Sequence, residues 1–185
     1  MTATSRPRIE PVDVDLKEPL KSKMATIFPA ALPSPTLYRS VARNESLFID
    51  MIDMHFIGPT GLMERKTIPS RLRELLILRT CTLAGNEYEF NLHERTISEK
   101  MGLTREEIDD LKTKSVDKTL WSVTEISLIS LTDELVSTLS VSDPVFEQAL
   151  EHFSNTELIE MTQLVGLYTS VAMLVSLIRP ETDPY

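Results

Sequence analysis

Residues 69–84, PSRLRELLILRTCTLA, constrain the fold more than any other stretch of the chain. At 100° per residue, Leu72, Leu75, Leu76, Ile77, Leu78 and Leu83 spread around most of a helical circumference, which leaves no wide face for water. Such a helix has to be covered on nearly every side, so it belongs at the centre of a domain. Glu74 falls among these apolar residues, about 200° round from Leu72 and close to Cys81. A carboxylate in that position is paired or protonated, because an isolated buried charge is too costly to keep. Arg71 and Arg79, on the same helix, are candidate partners.

The surrounding chain reads as helical too. It has only 5 Gly and no clean two-residue alternation of apolar and polar side chains, while helix start and stop signals recur. The spacing predicts helices over 36–55, 69–84, 86–101, 104–114, 122–139, 143–153 and 155–178. Pro69 suits a helix start, where its missing N–H is no loss. Gly85 and Gly102 suit left-handed C-terminal caps. Thr104 to Glu107 and Ser122 to Glu125 have capping-box spacing. Residues 1–35, punctuated by Pro29, Pro33 and Pro35 near their end, read as an extended N-terminal arm, and 36–185 as one all-α domain. The stretch HFIGPTGLMERKT, 55–67, is the longest break in the body of the chain and a candidate loop over a pocket, which makes His55 a candidate pocket residue.

Composition excludes several classes. With 185 residues, 42% hydrophobic and 25% charged, the chain has the balance of a soluble globular domain. Its 28 acidic and 19 basic residues give a net charge of −9, with Lys and Arg scattered, which argues against nucleic acid as a partner. Cys81 is the single cysteine, so one chain can build neither a disulfide nor a CxxC pair, and a reducing cytoplasm is the simplest compartment. The polar, proline-spaced start has no export signal's apolar run. Met161 to Ile178 carries no formal charge, but its Thr162, Gln163, Tyr168, Thr169, Ser170 and Ser176 make it a core or subunit-interface helix rather than a membrane span.

The stretch GNEYEFNLHE, 85–94, gathers the remaining chemistry. On the wheel, Asn86, Glu89, Phe90, His93 and Ile97 share one arc facing the interior, while Glu87, Asn91, Glu94 and Ser98 lie away from it. A histidine bonded to a carboxylate has its tautomer fixed and its basicity raised, which suits proton transfer near neutral pH. Glu74 on the preceding helix supplies a second carboxylate. Two carboxylates and one imidazole are thinner than the usual zinc or iron sets, so no metal is expected.

Three blocks carry a family resemblance: Arg71-Leu-Arg-Glu74, Glu87-Tyr-Glu-Phe-Asn-Leu-His93 and Gly102-Leu-Thr-Arg-Glu-Glu-Ile108. They resemble the R-x-R-E, E-Y-E-W-x-x-H and G-L-[ST]-x-E-E-I patterns of the carboxymuconolactone decarboxylase family, with Phe90 in place of the usual tryptophan. The likeness continues weakly through 131–175. It implies the helical fold shared with the alkylhydroperoxidase AhpD, assembled as dimers, trimers or hexamers. In the AhpD branch two cysteines stand at the positions of Asn86 and Glu89, served by a glutamate and a histidine at those of Glu74 and His93. The resemblance therefore implies a proton relay without the thiols.

For the decarboxylase branch it implies cofactor-independent chemistry on a small carboxylate or lactone. His93 would carry the proton, Glu89 would orient it, and Glu74 would be a second acid/base group. Asn86, Tyr88, Arg71 and His55 are the candidate substrate-binding residues, and Arg73 and Arg79 are further cations near the site. Two other readings stay open: a peroxidase-like oxidoreductase using Cys81, and a non-catalytic helical oligomer. A sealed and satisfied Glu89–His93 pair would favour the last of these, an open pocket lined by both an enzyme.

Overall fold

The computed structural model describes residues 7–28 and 33–184, and Pro29, like residues 1–6, lies outside the described residues. It is helical, with nine α-helices, two short 3₁₀ turns and no strand among the described residues. Two compact units divide the chain: one runs to Arg65 and takes in Met173–Pro184, and the other runs from Lys66 to Ala172. The boundary expected at 35/36 is thus displaced, because the segments on either side of it close a common core.

In the first unit, α1 (Leu20–Ile27), α2 (Thr36–Val41) and α3 (Glu45–Asp53) enclose Leu20, Met24, Ala42, Phe48, Ile52 and Ile57. The expected extended arm therefore contains a helix. Residues 20–28 hold no proline, and Leu20 and Met24, four apart, put one apolar face onto the core. Tyr38 joins the walls, its ring 4.9 Å from that of Phe28 and 6.0 Å from that of Phe48. The single helix expected over 36–55 is two, since Asn44 breaks the run and caps α3 by accepting from the Leu47 N–H at 3.3 Å. The segment before α1 is tied to α2 by Arg39 and Ser40, which donate to the carbonyls of Val12 and Ile9. At the start of α2, the Thr36 N–H and hydroxyl both donate to the buried Asp183 carboxylate, at 2.9 and 2.8 Å.

The 55–65 loop folds back on itself, with Leu62 N–H on the His55 carbonyl at 2.8 Å. A side chain on Gly61 would meet that carbonyl at 2.4 Å, so the turn needs glycine there. Its inward anchor is Ile57, while Phe56 stays exposed.

In the second unit α4 (Ser70–Leu83) is central, as its wheel requires, with Arg73 through Cys81 all buried. Around it pack α5 (Glu87–Thr96), α6 (Arg105–Leu111) and α7 (Val123–Thr138), and α8 (Asp143–Leu150) lies against α7. Both expected capping boxes form, Thr104 with Glu107 and Ser122 with Glu125. Gly85 takes φ +66° where α4 ends, a left-handed conformation that frees the chain to turn into α5. The last helix, α9 (Asn155–Ile178), is long and apolar enough to cross a membrane by length and composition alone. Within this unit it buries Leu158, Met161, Leu164, Val165, Tyr168 and Ala172 at three- and four-residue spacing, which is the stripe of a core helix.

Candidate functional site

Glu74, on the second turn of α4, and His93, on the last turn of α5, meet in the second unit. His93 Nδ1 lies 3.0 and 3.1 Å from the two Glu74 oxygens, and the Ser98 hydroxyl donates to Glu74 Oε1 at 2.6 Å. Glu74 is 1% exposed and His93 6%. The other ring nitrogen, Nε2, faces Glu89 Oε2 at 3.9 Å and the Tyr168 hydroxyl at 3.4 Å. Tyr168 also sets its ring edge-on to the imidazole, at 5.7 Å and 81°. With Nδ1–H donating to Glu74, Nε2 is the nitrogen left for chemistry.

The carboxylate that contacts the imidazole most closely is not the one expected. Glu74, not Glu89, holds the imidazole, because the i, i+4 pair on α5 reaches only 3.9 Å while α4 brings its carboxylate flat against Nδ1. Nor does Glu74 pair with Arg71 or Arg79. Ser98, expected to point outward, is buried on Glu74: α5 ends at Thr96 and the backbone turns at Ile97, φ −126°, out of the helical register that the wheel assumed. Glu87 is exposed as expected, but Glu94 is held by Arg105 at 2.5 Å and Lys112 at 2.7 Å. Tyr168, 75 residues beyond His93, had no signal except its place in an otherwise uncharged helix.

Electrostatics hold the pair in its charged form. Burial works to raise Glu74, but the charge and hydrogen bond of His93, the Ser98 hydroxyl and the charge of Arg73 together bring it below the usual carboxylate value. Burial likewise works to lower His93, and the charge and hydrogen bond of Glu74, helped by the charge of Glu89, hold the imidazole above its usual value. The stability gained from Glu74 is then complete above its ordinary value of 4.5 and is lost as the pH falls through the folded value. The gain from His93 is complete below its ordinary 6.5 and is lost as the pH rises through the folded value. The pair stabilises most between these two pH values. The gap in Tm between the native protein and a His93→Gln variant is expected to be widest there and to narrow on the alkaline side; a gap widening steadily with alkalinity contradicts the charged pair.

Asn86 stands just before α5. Its Oδ1 caps the helix by accepting from the Glu89 N–H at 3.2 Å. Its Nδ2 is buried and has no hydrogen-bond partner among the described residues. Asn86 lines a cavity of about 300 Å³ with Cys81, Gly85, Glu87, Phe90 and Lys112. Neither Glu89 nor His93 is part of that wall. Cys81 is fully buried, and burial, followed by the charges of Glu89 and Glu74, pushes its thiol well up.

The remaining candidates separate from this group. Arg71 forks onto Glu107 at 2.7 and 3.0 Å, reaches Glu125 at 2.7 Å and also donates to the Gly102 carbonyl. All its nitrogens are occupied in joining α4, α6 and α7, so the expectation that it binds substrate gives way to a structural role. Arg79 is similarly committed to Asp133 and to the Thr113 and Lys114 carbonyls. Tyr88 is half-buried on α5. His55 belongs to the first unit, where it is exposed and has Thr60 Oγ1 at 3.5 Å from its Nδ1.

Comparison with known proteins bears on the fold that carries these residues. The model of the carboxymuconolactone decarboxylase family matches residues 59–116, the segment that carries α4, α5 and α6 and with them Glu74, Glu89 and His93. Among solved structures, the chain is similar to one from Agrobacterium tumefaciens, a protein of unknown function assigned provisionally to antioxidant defence as AhpD. The identity is 17%, over 78% of this chain and 97% of that one, with a TM-score of 0.67. At that identity the likeness is one of fold. No curated relative matches the chain. Residues 59–116 are thus similar to the carboxymuconolactone decarboxylase family, and the fold of the chain is AhpD-like.

Proposed function

We propose that the chain is a cofactor-independent enzyme that moves a proton on a small lactone or carboxylated ring, by decarboxylation or by a double-bond shift. The observation that supports it most is the Glu74–His93 pair, which fixes Nδ1 and leaves Nε2 beside Glu89 and Tyr168. In the decarboxylating case the C–C bond to the carboxylate breaks, carbon dioxide leaves, and the electron pair enters the ring's conjugated system. The imidazolium Nε2–H then gives its proton to the far carbon, and Nε2 is reprotonated from water. Glu74 keeps its charge throughout and stabilises the imidazolium, much as a buried carboxylate does behind other catalytic histidines. Glu89 and Tyr168 border the path of the proton.

The thiol alternative is less well supported. Cys81 has no exposed surface and its thiolate is disfavoured by burial and by two carboxylates, the opposite of a peroxide-reactive site. A second reading does have observations in its favour: Glu74 and His93 are buried and satisfied, and neither His93 nor Glu89 lines the cavity beside Asn86, as in a polar tie between helices. His93→Gln separates the two. An enzyme is expected to lose turnover of muconolactone-type substrates by about a hundred- to ten-thousand-fold while helix content and oligomeric state are kept. A variant that turns over normally, or a native protein that turns over none of a panel of such lactones, favours the tie.

A further inference from the structure

The cavity beside Asn86 has features the relay does not use. It lies at the junction of three helix ends, where α4 stops at Leu83, α5 starts at Glu87 and α6 stops at Leu111, and its volume is about 300 Å³. That is the lower end of the range for small-molecule sites. A buried amide N–H₂ with no acceptor costs about 1–3 kcal/mol, a penalty that a well-placed ligand oxygen removes. Asn86 bears this cost at 2% exposure, with its oxygen already spent on capping α5. Among residues without a hydrogen-bond partner for a buried side-chain atom, it is the one that lines this cavity.

Charge selects the kind of oxygen. The cation in the wall, Lys112, is already shared between Glu94 at 2.7 Å and Asp109 at 3.0 Å. The wall also carries the Glu87 carboxylate, and Glu89 follows Asn86 by three residues. Arg105 reaches the same two carboxylates, so two cations and two carboxylates balance, and with Glu87 and Glu89 nearby no net positive charge is left for an anion. The rest of the wall is uncharged: the Phe90 ring, the Gly85 backbone, the Cys81 thiol, and the polar but neutral Thr82 and Asn91.

We propose that this cavity is the seat of a neutral carbonyl group, a lactone or ketone, with Asn86 Nδ2 donating to the carbonyl oxygen. The proposal rests on the proton-transfer reading for the fate of the bound compound, not for its binding. In a carboxylated lactone it places the ring carbonyl, rather than the carboxylate, at Asn86. It also gives a reason for the residue type found where the AhpD branch has its first cysteine: an amide caps α5 with one atom and presents a donor with the other, which neither a thiol nor a carboxylate does.

The test uses cyclohexanone and its anionic analogue cyclohexanecarboxylate as probes on the ¹⁵N-labelled full chain. The side-chain amide signal of Asn86 is identified by its loss in Asn86→Asp. Cyclohexanone is expected to shift that signal saturably, and the carboxylate to bind at least about tenfold more weakly. Asn86→Asp and Asn86→Ser both keep an N-cap oxygen, and circular dichroism checks that the helices persist. Asn86→Asp, which has no donor, is expected to weaken the ketone at least about tenfold, and Asn86→Ser to bind it with intermediate strength. His93→Gln is expected to bind the ketone as the native protein does. No saturable shift, equal or tighter binding of the carboxylate, or native ketone affinity in folded Asn86→Asp overturns the proposal. Ketone binding together with full turnover in His93→Gln overturns the proton-transfer reading alone.

Discussion

Replacing Glu74 by Gln is expected to damage both stability and turnover while leaving the shape of the site almost unchanged. Gln has nearly the volume of Glu and its amide oxygen can still accept from His93 Nδ1–H and from Ser98 Oγ, so geometry survives and charge does not. Removing one member of a buried pair leaves the other charge uncompensated, at a cost of about 3–5 kcal/mol. His93 avoids part of that by losing its proton, since burial then acts on it with only Glu89 opposing. An NMR titration of the His93 ring is expected to show its pKa displaced downward, and turnover is expected to fall with the loss of imidazolium. An unchanged His93 titration in the folded variant means that Glu89, not Glu74, sets the basicity of the ring.

The second large effect lies outside the candidate site. Arg79 is 1% exposed and makes four hydrogen bonds: to both Asp133 oxygens at 2.5 and 2.9 Å, and to the Thr113 and Lys114 carbonyls at 2.7 and 2.8 Å. These join the middle of α4 to α7 and to the loop after α6. Arg79→Ala removes the forked donor, opens a void and strands two backbone carbonyls, which sums to a destabilisation of about 3–5 kcal/mol. Urea unfolding is expected to show a lower midpoint with an unchanged slope. Arg79→Lys is expected to recover little, because a point ammonium cannot serve a carboxylate and two carbonyls in one plane. A native midpoint in Arg79→Ala shows that the network contributes nothing net.

What the sequence disclosed and what it hid follow one physical division. The central position of α4, both capping boxes and the inward arc of Asn86, Glu89 and His93 are set within a few residues of chain, where spacing of 3.6 governs. The partners of the buried ions depend on how helices cross. Arg71 meets Glu107 and Glu125, 36 and 54 residues away, and those two glutamates double as the third residues of the capping boxes. A single sequence reveals the boxes and not the arginine placed between them. His93 illustrates the same limit: its own helix offered Glu89, while the closer contact came from α4 and the hydroxyl of Tyr168 from α9. Ser98 was misplaced for a local reason, since a wheel extended past the true end of α5 assigns faces to residues that are no longer helical.

The hydrogen bonds from Thr36 to Asp183 have a further consequence, for the order in which the chain is made. The two residues are 147 apart, and the Asp183 carboxylate satisfies the opening donors of α2. While the chain is still on the ribosome, this end of α2 has no such acceptor, and contacts that close so long a loop form late. The segment around α2 is therefore completed only by residues made 147 positions later, whereas Lys66–Ala172, contiguous in sequence, can assemble from neighbours as they appear.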